Sequence, residues 1–336
     1  MAWYHIPGNR QDAVICTQVR LSRNLADYPF PGRLEAPLAR EIIAKAGEVL
    51  LPNGFTKIDF TDISRTAAQA LVEQQYASPA FLRESLPHAL FVNEPCNLAV
   101  AICEEDHVRI RSLRAGLSLQ DAFLGACTME ELMDAALGFA FDKRLGYLTS
   151  SPACAGTAMQ ASVTLSLPLL AEERRLASMA SQILQVGLTL RGLSGVESSF
   201  SGGLCRLSNR VIPGLTEEEM LARLEHAVDH LVAAEATLRG GLSAGDGARI
   251  RDRARRAEGI LRYAHMLPPG ELLEYLADLR LGAALGITDL RVEALTALFV
   301  EAMPATLTLA AKEPPKQEQE RDILRAQTVR ATLFGA

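Results

Sequence analysis

Cysteine is scarce and scattered. The six cysteines of this 336-residue chain stand at 16, 96, 103, 127, 154 and 205. With no CxxC pair and no framework spacing, they exclude a disulfide scaffold and point to a reducing compartment. An excess of positive charge is also missing. The 34 Lys+Arg are outnumbered by 40 Asp+Glu, for a net charge of −6, so no overall field draws nucleic acid or an anionic membrane. Local basic patches stay open. Long apolar runs are absent too: residues 294–311 are interrupted by Glu301 and Pro304 and are too short to span a bilayer. The first twelve residues, MAWYHIPGNRQD, contain no apolar segment of a signal peptide. These absences predict a cytoplasmic protein with neither a nucleic-acid nor a membrane partner. What is present is globular: 49% apolar and 22% charged residues, at a length suited to two domains.

Periodicity divides the chain near Gly240. Before it, strand-like segments at residues 13–19, 88–93, 97–103, 107–113, 147–150, 162–167, 187–191 and 203–208 are interspersed with helical ones at 38–51, 64–76, 119–145 and 171–184. Strands in runs with irregularly placed helices predict an α+β domain carrying an antiparallel sheet, not a doubly wound fold. Thr216-Glu-Glu-Glu219 is a capping box opening a helix that stops at Gly240-Gly241. Beyond it the chain is Ala-, Leu- and Arg-rich with helical spacing. Expected domains are 1–240 and an all-helical 241–336, the latter with a Pro/Gln/Glu-rich linker at 313–320 and a last helix at 321–333.

Four groups of residues carry chemical potential. Glu104-Glu-Asp-His-Val-Arg109 packs three carboxylates, an imidazole and a guanidinium into one turn, suited to handling a cation beside a phosphate; a solvated acidic turn reads the same way. Residues 187–203 form a strand entering a Gly/Ser loop with Arg191 at its mouth, able to approach phosphate, yet matching neither the Walker nor the dinucleotide pattern. His226 and His230, one helical turn apart beside Asp229, have ligand spacing but no third ligand nearby, so no metal site is expected. Arg321 and Arg325 stand one turn apart with Asp322 and Ala326, a phosphate clamp or a charged helix face.

Taken in order, these segments resemble the bacterial protein-arginine kinases, relatives of the phosphagen (ATP:guanido) kinases. Val19-Arg-Leu-Ser-Arg-Asn24 is similar to the end of the family's S-S-R-[IV]-R-L-x-R-N. Residues 104–109 resemble N-E-E-D-H-[LIV]-R, and 146–157 resemble G-Y-L-T-S-C-P-T-N-x-G-T. Residues 161–163 stand where the family has R-A-S-V, 187–195 resemble G-L-T-V-R-G-x-x-G, and 321–326 match R-D-x-x-R-A. The resemblance implies an antiparallel sheet flanked by helices that carries ATP and Mg2+, with a helical dimerisation domain behind it. It implies phosphoryl transfer from ATP to arginine in proteins, with Glu105 and Arg191 catalytic. Arg20, His107, Arg109, Arg191, Gln18, Gln160 and Ser162 are the implied ATP contacts. Glu105, Ser151 and Glu197 are the implied substrate contacts, and Arg321, Asp322, Arg325 and Ala326 the phosphoarginine pocket. Implied partners are arginine-containing or arginine-phosphorylated proteins, a second copy of the chain and a small activator; no metal site made by protein alone is implied.

The departures fall on working positions. Two arginines of the family pattern are Gln18 and Gln160, its cysteine is Ser151 with Cys154 three residues on, its second substrate glutamate is Val196, and a histidine is Gln75. A charge-assisted hydrogen bond contributes roughly 1.5–3 kcal/mol. Two unreplaced arginines therefore weaken phosphate binding or rate by about 10²–10⁴, less where Gln donates in their stead. Arg206 and Arg114 are the nearby cations able to substitute. Expected, then, is an attenuated arginine kinase. The alternatives are a non-catalytic phosphoarginine-binding adaptor on the same fold, resting on the intact 321–326 motif, and a dimeric structural protein that binds neither ligand.

Overall fold

Strand β1 (Val14–Arg23) alternates two kinds of side chain. Val19 and Leu21 point into a fully buried apolar layer, while Gln18, Arg20 and Ser22, offset by one residue, occupy the opposite face. That alternation organises the whole protein, which the computed structural model describes for residues 2–60, 62–94, 97–193, 200–212 and 214–335.

The chain continues through α1 (Ala36–Leu50), β2 (Phe55–Asp59), α2 (Arg65–Glu73), β3 (Ala89–Asn93), β4 (Leu98–Ile102), β5 (Val108–Ala115) and α3 (Leu119–Leu137). Then come the short hairpin β6 (Phe141–Asp142) and β7 (Gly146–Tyr147), β8 (Met159–Ser166), α4 (Pro168–Glu172), α5 (Leu176–Gln185), β9 (Leu188–Gly192), β10 (Leu204–Asn209) and α6 (Glu217–Gly240). The helical remainder is α7 (Ala244–Tyr263), α8 (Pro269–Ala284), α9 (Val292–Glu301), α10 (Pro304–Ala310) and α11 (Glu318–Phe334). One eight-stranded sheet has the order β2-β3-β4-β5-β1-β8-β10-β9, and its neighbours pair antiparallel.

Apolar side chains of α1, α3, α5 and α6 cover one sheet face, and their contacts with Val19, Leu21, Ile110, Val163 and Leu207 form the main core. The other face is only partly covered. At one end Cys16, Leu113 and Leu204 join a second core with Trp3, Ala277 and Val300, so the C-terminal helices dock there. At the other end the polar members of β1, β5, β8, β9 and β10 are left facing a cleft. Further helices close a third core through Leu272, Leu279, Leu295, Leu298 and Val329. Carboxylates pin the layers: the buried Glu235 of α6 accepts from the backbone N–H groups of Leu169 and Leu170, and the half-buried Glu73 accepts from those of Ala305 and Thr306.

Several boundaries differ from the sequence reading. The helix expected over 119–145 stops at Leu137, because Gly138 turns out at φ 69° and the Asp134 carboxylate accepts from Phe139 N–H. The helix expected over 171–184 is two, broken where Arg174 takes φ 53°. The strand expected over 147–150 shortens to β7. Edge strand β2 was not anticipated; four of its five residues are at least partly exposed. Among the described residues no single helix is long and apolar enough to cross a membrane, and α9 and α10 meet at 90°.

Candidate functional site

The turn between β4 and β5 is tight. Cys103 adopts φ 60°, its N–H bonding the His107 carbonyl at 2.8 Å. This fold-back gives two adjacent glutamates opposite surroundings. Glu104 turns inward, where its two oxygens accept from Arg109 Nη1 (2.7 Å), Arg111 Nη2 (3.2 Å) and the Ser78 hydroxyl. Burial opposes charge there, yet Arg111, Arg109 and the Ser78 hydroxyl prevail and hold its carboxyl below the usual range. Glu105 turns outward, its side chain 55% exposed, and accepts from Arg109 Nη2 at 2.6 Å.

A polar knot fixes the turn to its neighbours. Asp106 accepts from Asn24 Nδ2 and from Ser150 N–H, both at 2.8 Å, and Asn24 Oδ1 accepts from His107 N–H. The segment bearing Ser151 is thereby tied to the turn bearing Glu105. Arg23 strengthens the link, donating to Glu130 and the Thr157 carbonyl while lying 3.5 Å over the Tyr147 ring.

Strand pairing sets arginines side by side. Arg20 opposes Arg111 on β5 and Gln160 on β8, and Arg191 opposes Arg206 across β9 and β10. Burial, then the charges of Arg109 and Arg111, lower the Arg20 pKa to about 10; it remains cationic at neutral pH and poorly solvated. Two adjoining compartments open over this face. One, of about 440 Å³, is lined by Glu105, Arg109, Ser151 and Cys154. The other, of about 470 Å³, is lined by Gln18, Gln75, Arg111, Ser162 and Arg206. Arg20, Gln160, Arg191 and Ser208 border both. Cations at a waist, with a carboxylate on one side, suit a polyphosphate lying across it and a cationic acceptor meeting its end.

Most of the expected residues converge here, but not all. Glu105, Arg20, Arg109, Arg191, Gln18, Gln160, Ser151 and Ser162 line the cleft. His107 does not: it is fully buried, its Nδ1 accepting from Leu25 N–H and its Nε2 donating to the Pro29 carbonyl. Burial lowers its pKa, so the ring is a neutral brace for the 24–29 loop. Glu197 and Val196 lie outside the described residues. In the C-terminal motif Arg325 is 1% exposed and spends its donors on the carbonyls of Ala302 and Leu267 and on Asp322, and Ala326 belongs to the helical core. Only Arg321 is partly exposed among these four. Sequence reasoning passed over Arg111 and counted Glu104 only among the three carboxylates of the turn, with no role distinct from that of Glu105; the Arg-Ile-Arg alternation at 109–111 was the available signal, since it puts both guanidinium groups on one strand face.

Comparison with known proteins agrees with this geometry. Residues 40–238 match the family model of the ATP:guanido phosphotransferase C-terminal catalytic domain, and residues 247–335 that of the protein-arginine kinase McsB C-terminal domain. A protein-arginine kinase of Symbiobacterium thermophilum is 35% identical, the match covering 98% of this chain and 96% of that protein. One from Halothermothrix orenii is 32% identical with the same coverage. Among solved structures, a lombricine kinase superposes with TM-score 0.62 at 19% identity over 71% of this chain and 70% of that one. The duplicated taurocyamine kinase of Schistosoma mansoni gives TM-score 0.61 at 23% identity over 81% of this chain, which spans 46% of that longer one; both likenesses concern the fold. This chain belongs to the ATP:guanido phosphotransferase family and is a guanido phosphotransferase most similar in sequence, among these, to protein-arginine kinases.

Proposed function

We propose that the cleft moves the γ-phosphoryl group of MgATP onto a guanidinium nitrogen of arginine in a protein. The observation that carries this is Glu105: an exposed carboxylate clamped by Arg109 at the rim of an arginine-lined waist. The acceptor guanidinium enters beside Glu105 and Ser151, and the nucleotide lies in the compartment of Gln18 and Ser162. As the Nη–P bond forms, the bond from the γ-phosphorus to the β,γ-bridging oxygen breaks, ADP departs with that oxygen, and the guanidinium proton passes to the Glu105 carboxylate. Arg20, Arg109 and Arg191 offset the charge spreading over the transferred group. Mg2+ arrives with the nucleotide phosphates.

On the same reading, proteins bearing arginine or phosphoarginine are the partners. The helical region beyond residue 240 forms a homodimer and reads phosphoarginine through Arg321, and a small activator protein tunes the rate; the match of residues 247–335 and the 321–326 motif support this extension. Incubation with MgATP and an arginine-rich protein should yield acid-labile phosphate on arginine, at a rate lowered about 10²–10⁴-fold by Glu105→Gln. Absence of phosphoarginine from the wild-type reaction, with phosphoarginine binding intact, would replace the kinase assignment by that of an adaptor.

A further inference from the structure

Charge is missing from β1 and β8 where the family pattern has it, at Gln18 and Gln160. The structure decides between the two cations that could make up the loss. Arg114 lies on the opposite side of β5 from Arg109 and Arg111, donating to the carbonyls of Leu113 and Asp121 at the start of α3. It cannot reach the cleft. Arg206 lies on the cleft face of β10, opposite Arg191 on one side and Thr164 on the other, and lines the same compartment as Gln18 and Gln160.

The surroundings of Arg206 show why it is available. Its Nη2 donates to Gln75 Oε1 at 3.2 Å, and Gln75 in turn accepts at its carbonyl from Gln18 Nε2 at 3.3 Å. Its Nε is buried without a hydrogen-bond partner, and no carboxylate lies within ion-pair distance of it among the described residues. A half-buried guanidinium with no carboxylate beside it and its terminal nitrogens at the cleft is suited to pair with an anion there. The neutral side chains at 18 and 75 leave room and one neutral acceptor around it, in the compartment away from Glu105.

We propose that Arg206 joins Arg20 and Arg191 as a nucleotide-phosphate cation of this chain, its charge relocated from β1 and β8 to β10, where it holds the phosphates that stay with the departing ADP. This rests on the MgATP assignment above and makes the loss of arginine at 18 and 160 a displacement of charge across the sheet.

The test is MgATP binding by calorimetry on the full-length protein, with thermal melting of every variant. Arg206→Gln should weaken binding about tenfold to a hundredfold, the loss expected for one charge-assisted contact. Arg206→Lys should recover part of it, and Gln18→Arg in the Arg206→Gln background should bring affinity back to within about fivefold of wild type, showing two sites that share one ligand. Arg114→Gln should change nothing. If wild type binds MgATP and Arg206→Gln binds equally well, Arg206 has no such role. Rescue failing in a double variant that melts like wild type also overturns the relocation. A wild-type protein that binds no MgATP, or binding that survives Arg191→Gln, overturns the nucleotide assignment itself and the proposal with it.

Discussion

Glu104 and Glu105 are adjacent in sequence and opposite in environment, so neutralising each in turn separates stability from chemistry. Glutamine keeps the shape of glutamate but has one acceptor oxygen where the carboxylate has two. At position 104 one oxygen serves Arg109 and Ser78 while the other serves Arg111. Whichever way the amide of Glu104→Gln turns, its NH2 group faces a guanidinium, and a buried cation loses a carboxylate oxygen: Arg111 its ion-pair partner among the described residues, or Arg109 one of its acceptors. Breaking a buried pair in this way costs about 3–5 kcal/mol. For a chain of this size that corresponds to a melting temperature lower by roughly 4–7 °C.

Glu105→Gln loses only an exposed contact to Arg109 and should cost at most about 1 kcal/mol. Its phosphotransfer rate, however, should fall by about 10²–10⁴ through loss of the proton acceptor. Urea unfolding at pH 7 and initial rates of acid-labile phosphate formation read the two effects separately. The acid range supplies a further check. The Glu104 carboxyl is held below its ordinary 4.5, so its contribution is full above that pH and fades as pH falls through the depressed value. The stability gap between wild type and Glu104→Gln should therefore narrow only in acid. A Glu104→Gln protein within 1 kcal/mol of wild type at pH 7, by the same reckoning, would refute the buried hub. Equal destabilisation by both variants would refute the division of labour.

Arg325→Ala removes the donors that satisfy the Ala302 and Leu267 carbonyls and leaves Asp322 buried without its cation. It should cost about 3–5 kcal/mol in urea unfolding, whereas Arg321→Ala should melt like wild type and lose phosphoarginine affinity in calorimetry. Native thiol alkylation mapped by mass spectrometry should find Cys154, exposed in the cleft, reactive and slowed by MgATP with a guanidinium acceptor. Cys103, buried and pushed up to about 12, should react only after unfolding. Gly146 sits at φ 75°, and a Cβ there would lie 2.5 Å from the Gly156 carbonyl oxygen. Gly146→Ala should thus displace the segment carrying Ser151, raising KM for the acceptor peptide more than for MgATP and costing about 1–3 kcal/mol in unfolding.

What could be read from residue order, and what could not, follows from the range of the forces involved. Period-2 alternation is local, so the core strands were visible in sequence, and so was the capping box that opens α6. Strand β2 escaped because Thr56, Lys57 and Asp59 are polar and only Phe55 is buried, leaving too little apolar signal at a sheet edge. The overlong α3 arose because apolar residues continue past Gly138 into the β6–β7 hairpin, and a positive φ at one glycine outweighs them. The same distinction runs through the site. Glu105 and Arg109 were legible because the residues that define their chemistry are four apart. His107 was misplaced because residue type does not reveal that both ring nitrogens are spent on backbone 78 to 82 residues away in sequence. Arg206 and Gln18 are 188 residues apart by numbering, and only the register of β1 with β8 and of β8 with β10 shows that they face one compartment. A charge lost at one of these positions and present at the other looks like decay when the motifs are read one at a time. Across a sheet whose strands lie about 5 Å apart, the same two changes shift a cation by two strands, a distance an arginine side chain and a triphosphate can span between them.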